Sequence, residues 1–357
     1  MTLREIVKKP KFILKGLATH IPTTVAQYLP RHETQFAGLG ARTEERQYDS
    51  MNDYARSCYT NWLRVLVSLD DNGVHGPFKC VGELGPGDTI GTALCAILSG
   101  SNKCFALDIV PTISLSKYSN AEMLEEIITL FKNREPIPDD SEFPKNIPKL
   151  SSYEFPSHIL TDELLTHSLS DARLKELREL VRSFETESTA PNTGSLSIKY
   201  LVPWNSSENL DTYANEMDLI VSYAVMEHVD DVQKVYNDQW HLLKDGGTIA
   251  HAMDFKCHHT AGLWNGHWTY SDLTWKIIYG RCAYLINRWP HSWHIHAMTN
   301  IFTVLCDEVN TKESTLLRND LAATFRGISD SDLVTHTAFI AGNKLPRRGK
   351  DSDIAIS

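Results

Sequence analysis

Two groups of residues in this sequence are spaced to do chemistry. The first is Glu83-Leu84-Gly85-Pro86-Gly87-Asp88, with Asp108 twenty-one residues beyond Gly87. Gly85 and Gly87 permit positive φ and let a ligand approach the backbone closely. A helix beginning near Thr89 would aim its unpaired N–H groups at the same place. An acidic side chain at the end of the next strand can take both hydroxyls of a ribose. The second group is a set of proton acceptors. Ligands of parallel sheets sit beyond the carboxyl ends of the strands, which selects His228, Asp254, His258, His259 and His267 from the many titratable residues, the 15 histidines included. A neutral imidazole near pH 7 is suited to removing a proton from a hydroxyl. The competing roles are structural: a packing or surface histidine, a helix start at His228 that shapes a cofactor pocket, a backbone turn at Asp254. Nearby, Trp264, Asn265, His267, Trp268 and Tyr270 interleave aromatic faces with polar groups, a platform for the apolar C–H face of a sugar ring. Asn287 and Arg288 offer donors to a phosphate or carboxylate. Trp275, at helical spacing with Leu273 and Ile277, reads as core. His294 and His296 form an HxH without a third ligand nearby in sequence, so no metal site is expected.

The elements that must position these residues alternate in type. Residues 80–84 read as a buried strand, 89–98 as a helix closed by Gly100, and 103–108 as a second strand, a βαβ unit with parallel strands and a right-handed crossover. Ahead of it, Tyr59, Trp62, Leu63 and Leu66 recur at helical spacing over 51–70. Two helices are expected over 120–132 and 162–185, separated by a stretch holding Pro136, Pro138, Pro144 and Pro148. The connection is long enough to read as an inserted helical cap. Strands follow at 197–202 and 218–223, then a helix at 231–243 stopped by Gly246 and Gly247, then a strand at 248–254. Residues 255–300 form a second insertion rich in Trp and His, and two final strands at 301–307 and 334–341 flank a helical segment. The fold class is therefore α/β, a doubly wound Rossmann-like sheet. We expect an N-terminal helical extension over 1–75, irregular before residue 51. A catalytic domain should follow over 76–345 with insertions at about 110–195 and 255–300, and a polar tail over 346–357.

The glycine-rich turn suits more than one nucleotide cofactor, and two residues discriminate. A dinucleotide fingerprint places a third glycine where this chain has Ile90. Glu83 puts a carboxylate where a pyrophosphate would be repelled, but where the cationic amino-acid end of S-adenosylmethionine would be attracted. The segment VGELGPGDTIG resembles the first motif of class I S-adenosylmethionine-dependent methyltransferases. MDLIVSYAVMEHVDD and HLLKDGGTIAHAMDF resemble their fourth and fifth motifs. This resemblance implies that Glu83, Gly85, Pro86, Gly87 and Asp108 hold the cofactor, together with Ser222, Tyr223 and Ala224 after the fourth strand. A narrower resemblance, carried by ARSCYTNWLRVL, SIKYLVPWN, MDFKCHHTAGLWNGHWTYSDLTWK and LINRWPHSWH, is to methyltransferases encoded in bacterial surface-polysaccharide (O-antigen or capsule) gene clusters. There the early motif is closer to ARYCY and the third-strand motif to PWD. Ser57 and Asn205 depart from both, and Trp204 with Asn205, whose amide can still hydrogen-bond adenine, completes the implied cofactor set.

Composition narrows the partners. The chain has 357 residues and a net charge of −10, which argues against a nucleic-acid backbone as the main partner. No apolar run approaches the ~20 residues that span a bilayer, and the basic start, broken by Lys8, Lys9, Lys11 and Lys15, does not read as a secretory signal. That basic segment leaves peripheral membrane contact open. The seven cysteines show no CxxC pair and read as reduced thiols of a cytoplasmic protein. The resulting expectation is S-adenosylmethionine-dependent O-methylation of a carbohydrate or glycan precursor. The alternatives are a natural-product methyltransferase, a nicotinamide oxidoreductase and a non-catalytic S-adenosylmethionine-binding scaffold.

Overall fold

Four short runs, β1 (Cys80–Leu84), β2 (Lys103–Leu107), β3 (Ser197–Leu201) and β4 (Met217–Tyr223), join the longer β5 (Leu243–Asp254), β6 (Phe302–Thr311) and β7 (Thr335–Lys344) in one sheet. The computed structural model describes residues 12–14, 16–17, 50–113, 118–187, 194–281 and 285–346. Most of the expected irregular start and all but the first residue of the polar tail lie outside these. The strand order is β3-β2-β1-β4-β5-β7-β6. Strands β1 to β5 run parallel, and β7 runs antiparallel to both β5 and β6. The order reverses between β1 and β4, which makes this a doubly wound Rossmann-like sheet whose crevice lies at the carboxyl ends of those two strands.

Helices cover both faces. On β2, Cys104 and Ala106 join one apolar cluster while Phe105 and Leu107 join the other, the period-two alternation of a strand buried on both sides. The first face is covered by α1 (Met51–Asp71), α2 (Gly91–Leu98), α3 (Asn120–Asn133), α4 (Asp162–Ser168) and α5 (Asp171–Glu187). The second face carries α6 (Ser207–Thr212), α7 (Val232–Leu242) and α9 (His291–Thr299), while α8 (Asp272–Tyr279) and α10 (Asp330–Val334) belong to the segments beyond β5 and β6.

Helix α1 starts where the Ser50 hydroxyl accepts from the Asp53 N–H at 3.1 Å, a side-chain N-cap. Its Arg64 is fully buried, yet its guanidinium is satisfied by Asp140 and by the carbonyls of Pro138, Asn146 and Pro148. That pairing fastens the proline-rich stretch to α1, as a buried cation requires. Helix α2 approaches α1 so closely that a Cβ at Gly91 would lie 2.4 Å from Cys58 Sγ. The glycine needed for close packing is thus Gly91, one position after the Ile90 of the fingerprint.

Three expectations are corrected. The described residues of 110–195 do not form a cap above the carboxyl edge: α3 and α5 bury Met123, Leu124, Ile127, Leu177 and Val181 in the same core as the sheet. The single helix expected over 162–185 is two, because Leu169 and Ser170 turn the chain and Asp171 begins a new helix. Between β6 and β7 the helical content is one short helix, α10, and 3₁₀ turns at Arg318–Asp320 and Ala323–Phe325.

Candidate active site

The turn after β1 is shaped by its two glycines, with φ of 67° at Gly85 and 72° at Gly87. Their reasons differ. A Cβ at Gly85 would sit 2.6 Å from Val225 Cγ2, whereas a Cβ at Gly87 would meet nothing within 4 Å. Gly85 therefore lets the β1 turn pass the residues following β4, and Gly87 faces open space where a ligand can approach. Asp88 receives the Tyr54 hydroxyl, so α1 braces the turn.

Two of the N–H groups at the start of α2, expected to be free, are engaged within the protein. Asn120 Oδ1 accepts from Ile90 N at 3.1 Å, and Thr89 Oγ1 accepts from Gly91 N at 3.2 Å. A pyrophosphate cradled by a helix N-terminus needs such donors, so their internal use weighs against a dinucleotide. Ile90 is itself buried in the core. Glu83 is buried, with Oε1 accepting from Thr92 Oγ1 at 2.7 Å. Asp108, also buried, closes β2. Its Oδ1 accepts from Ile109 N at 2.7 Å and its Oδ2 from Thr112 Oγ1 at 2.8 Å, and Thr112 Oγ1 is also 2.5 Å from Gly87 O. Burial outweighs these hydrogen bonds and raises the carboxyl's pKa. A carboxylate has about four lone-pair sites, so room for ribose hydroxyls remains.

Of the other residues implied for the cofactor, Pro86 lies within the turn between Gly85 and Gly87, and Asn205 is half-buried between β3 and α6. Trp204 is a correction: it is 1% exposed and packed with Phe105, Leu107 and Met226 beneath the sheet. Ser222 is fully buried, its Oγ 2.8 Å from His251 Nδ1. Tyr223 is half-buried against the α1 side, its hydroxyl enclosed without a partner. Ala224 adopts φ 55°, unusual for a residue with a Cβ, and its N–H donates to Ala252 O at 2.8 Å.

That strained step leads into a second centre, on the β4–β5 side of the crevice. Ligand atoms of Glu227, His228 and His258 lie within 4.8 Å of one another. The rings of His228 and His258 meet edge to face, 4.9 Å between centroids. Asp254, at the end of β5, receives His258 Nε2 at 3.0 Å on Oδ1 and Lys256 Nζ at 2.5 Å on Oδ2. Burial disfavours the Asp254 charge, but His258 and Lys256 prevail and hold its pKa well below the usual carboxylate range. Glu227 is 3% exposed, and among the described residues neither carboxyl oxygen has a hydrogen-bond partner of ordinary geometry. Burial, reinforced by the nearby Asp254 charge, drives its pKa far upward. His258 reaches the cluster from a loop with φ of 42° at His258 and 61° at His259.

The structure thus brings together His228, Asp254 and His258 and adds Glu227, which the sequence reading missed. The signal was its place in the Met226-Glu227-His228 run directly after β4. Two members of the expected set stand apart. His259 is exposed and is not among the residues that converge. His267 is 2% exposed, and burial, with lesser repulsion from Arg288 and His258, lowers its pKa to about 3, so it is a poor proton acceptor for an incoming hydroxyl.

The aromatic insertion is mostly architecture, which corrects its reading as a binding platform. Trp268 is fully buried with Leu321 and Phe325, its Nε1 donating to Arg288 O at 3.0 Å. Tyr270 is buried beside Trp275 and donates to Thr260 O at 2.9 Å. Asn265 Nδ2 donates to Ser314 Oγ and Leu333 O, both at 2.8 Å. Trp264 stays half-buried, donating to Glu313 O at 2.9 Å. Arg288 offers no open fork to an anion: it donates to Tyr270 O and Asp272 at 2.8 Å each and is sandwiched between Trp275 and Phe325. Asn287 serves the site indirectly. Its Nδ2 donates to Met226 O and Val229 O, and its N–H to Glu227 O, which pins the turn carrying Glu227 and His228.

A recess lined by Trp62, Leu66, Pro77, Phe78 and Leu160 lies at the amino ends of β1 and β2, the edge opposite the one where such sheets bind ligands. Among the described residues no helix is long and apolar enough to cross a membrane.

No family model and no curated relative matches the chain. Several solved structures are similar to it at low identity. One is an S-adenosylmethionine-dependent methyltransferase from Methanosarcina mazei, 11% identical over 74% of this chain and 92% of that one, TM-score 0.37. Another is an S-adenosylmethionine-dependent methyltransferase from Mesorhizobium loti, 12% identical over 78% of this chain and 96% of that one, TM-score 0.35. A third is the N-methyltransferase NodS from Bradyrhizobium japonicum in complex with S-adenosyl-L-homocysteine, 10% identical over 85% of this chain and 93% of that one, TM-score 0.36. The functional reading of the site rests on its own residues.

Proposed function

We propose that this protein is an S-adenosylmethionine-dependent O-methyltransferase acting on a hydroxyl of a carbohydrate or glycan precursor. One observation carries the reading. The crevice where the strand order reverses has a nucleoside-type edge on one side, Gly87 and Asp108, and a polar cluster on the other, Glu227, His228, Asp254 and His258. Asp108 would hold the ribose, Gly87 would leave room for the ligand, and Glu83 would attract the cationic amino-acid end. When bound, S-adenosylmethionine supplies a methyl group that leaves sulfur with its bonding pair staying behind, as the acceptor oxygen forms the new bond to carbon.

The residues of the chain then have two tasks. The crevice aligns oxygen and methyl, which in favourable intramolecular cases is worth on the order of 7–11 kcal/mol. The histidine–carboxylate cluster receives the acceptor hydroxyl and promotes the loss of its proton. Asp254 holds the His258 ring in place for that role. The carbohydrate class follows from the resemblance of the 253–276 segment, since most of its aromatic surface is buried.

The test is transfer of labelled methyl from S-adenosylmethionine to fractionated glycans and sugar nucleotides of the source cell, with mass spectrometry of the product. A methyl ether on a sugar hydroxyl is the expected result. Label confined to nitrogen or carbon acceptors would contradict the O-methyl assignment.

A further inference from the structure

We infer that Glu227, His228 and His258 form a binding site for a divalent transition-metal ion of the zinc type. Three independent features converge on this. The ligand atoms of the three side chains already lie within 4.8 Å of one another. Four ligands around such an ion at about 2.1 Å stand roughly 3.4 Å apart, so small side-chain rotations would close the site. Glu227 is almost wholly buried, and among the described residues neither oxygen has a hydrogen-bond partner of ordinary geometry; a buried carboxyl in that condition is costly unless something satisfies it. The ring of His258 is held by Asp254 at 3.0 Å, the kind of carboxylate–histidine contact that orients metal-binding imidazoles.

The backbone holds the three side chains in place. Asn287 ties down the 226–229 turn through Met226 O, Glu227 O and Val229 O. His258 enters from a loop whose left-handed φ of 42° is strained for a histidine, a departure that tends to mark functional positions. Two imidazoles and one carboxylate favour zinc, cobalt, iron or manganese over magnesium or calcium, which prefer oxygen donors. Three protein ligands leave a coordination position for an outside group, as in catalytic rather than structural sites.

The site's role rests on the methyl-transfer reading, whereas its capacity to bind metal does not. On that reading the open position takes the acceptor hydroxyl. A divalent ion lowers the pKa of a bound hydroxyl, so its proton passes to solvent water and no free imidazole base is needed.

The test is binding of Co²⁺ and Zn²⁺ to the metal-stripped full-length protein, read by equilibrium dialysis with elemental analysis and by the visible absorption of Co²⁺. One ion per chain and a cobalt spectrum with nitrogen and oxygen ligation are expected. Glu227→Gln replaces the carboxyl with an isostere, and His258→Asn uses a residue that tolerates left-handed backbone. Each should weaken metal binding by more than about 100-fold, beyond what loss of an outer-shell partner costs, while leaving S-adenosylhomocysteine binding and the unfolding midpoint unchanged. Absence of stoichiometric binding by the wild type would overturn the site, as would binding that survives in the double variant. Metal binding without S-adenosylhomocysteine binding would leave the site standing and contradict the methyltransferase reading instead.

Discussion

At the scale of single residues, the two aspartates that end β2 and β5 have different work, and their environments say so. Asp108 is held by its own turn and by Thr112, and among the described residues no cation pairs with it. Asp108→Ala should weaken cofactor binding by roughly 1.5–3 kcal/mol, the scale of hydrogen bonds to a charged group, as read by calorimetry. Asp254 is paired with His258 and Lys256 and positions the cluster. Asp254→Asn should lower methyl-transfer turnover by at least about tenfold with cofactor affinity unchanged, and an unchanged turnover would detach it from the chemistry. Gly85 belongs to stability. Alanine there must adopt φ near 67° and push on Val225, so Gly85→Ala should destabilise the fold by about 1–3 kcal/mol in urea titration.

At the scale of elements, the sequence made the strands and the cofactor turn legible because each carries a local signal. The apolar runs at β1, β2 and β4 and the glycines at 85 and 87 are legible without knowing what they touch. The insertions were not, because aromatic and polar residues look the same in a core and on a binding surface. Trp268, Tyr270 and Arg288 sit in one buried stack, and only the contacts among them and with Phe325 reveal it. Glu227 was missed for a related reason: its value lies in what fails to meet it. Asn287 shows how a segment distant in sequence serves the site. Asn287→Ala removes two side-chain bonds to the 226–229 turn, each worth about 1 kcal/mol. It should lower stability by roughly 2 kcal/mol and reduce turnover through the loosened Glu227–His228 turn, leaving cofactor affinity within twofold. Unaltered turnover in a variant that has lost this stability would show that the turn needs no such brace.

At the scale of the whole molecule, the face opposite α1 is closed around neutral histidines. His251 and His294 are fully buried, bonded to Ser222 and to the Tyr236 hydroxyl. Burial lowers the pKa of each to about 3. In the unfolded chain each returns to about 6.5, so between those values the unfolded state binds more protons and stability rises with pH. Acidification from pH 6.5 should cost about 1.4 kcal/mol per pH unit for each histidine. His294→Gln should flatten that slope by one histidine's share in urea titrations at pH 7, 6 and 5, and an identical slope would mean His294 charges freely in the fold. The account as a whole turns on which nucleotide the crevice accepts. Calorimetric titration of the full-length protein with S-adenosylhomocysteine and, in parallel, with NADH tests this most directly. The account predicts one S-adenosylhomocysteine per chain, weakened in Asp108→Ala, and no heat from NADH; NADH binding with none of S-adenosylhomocysteine would contradict it.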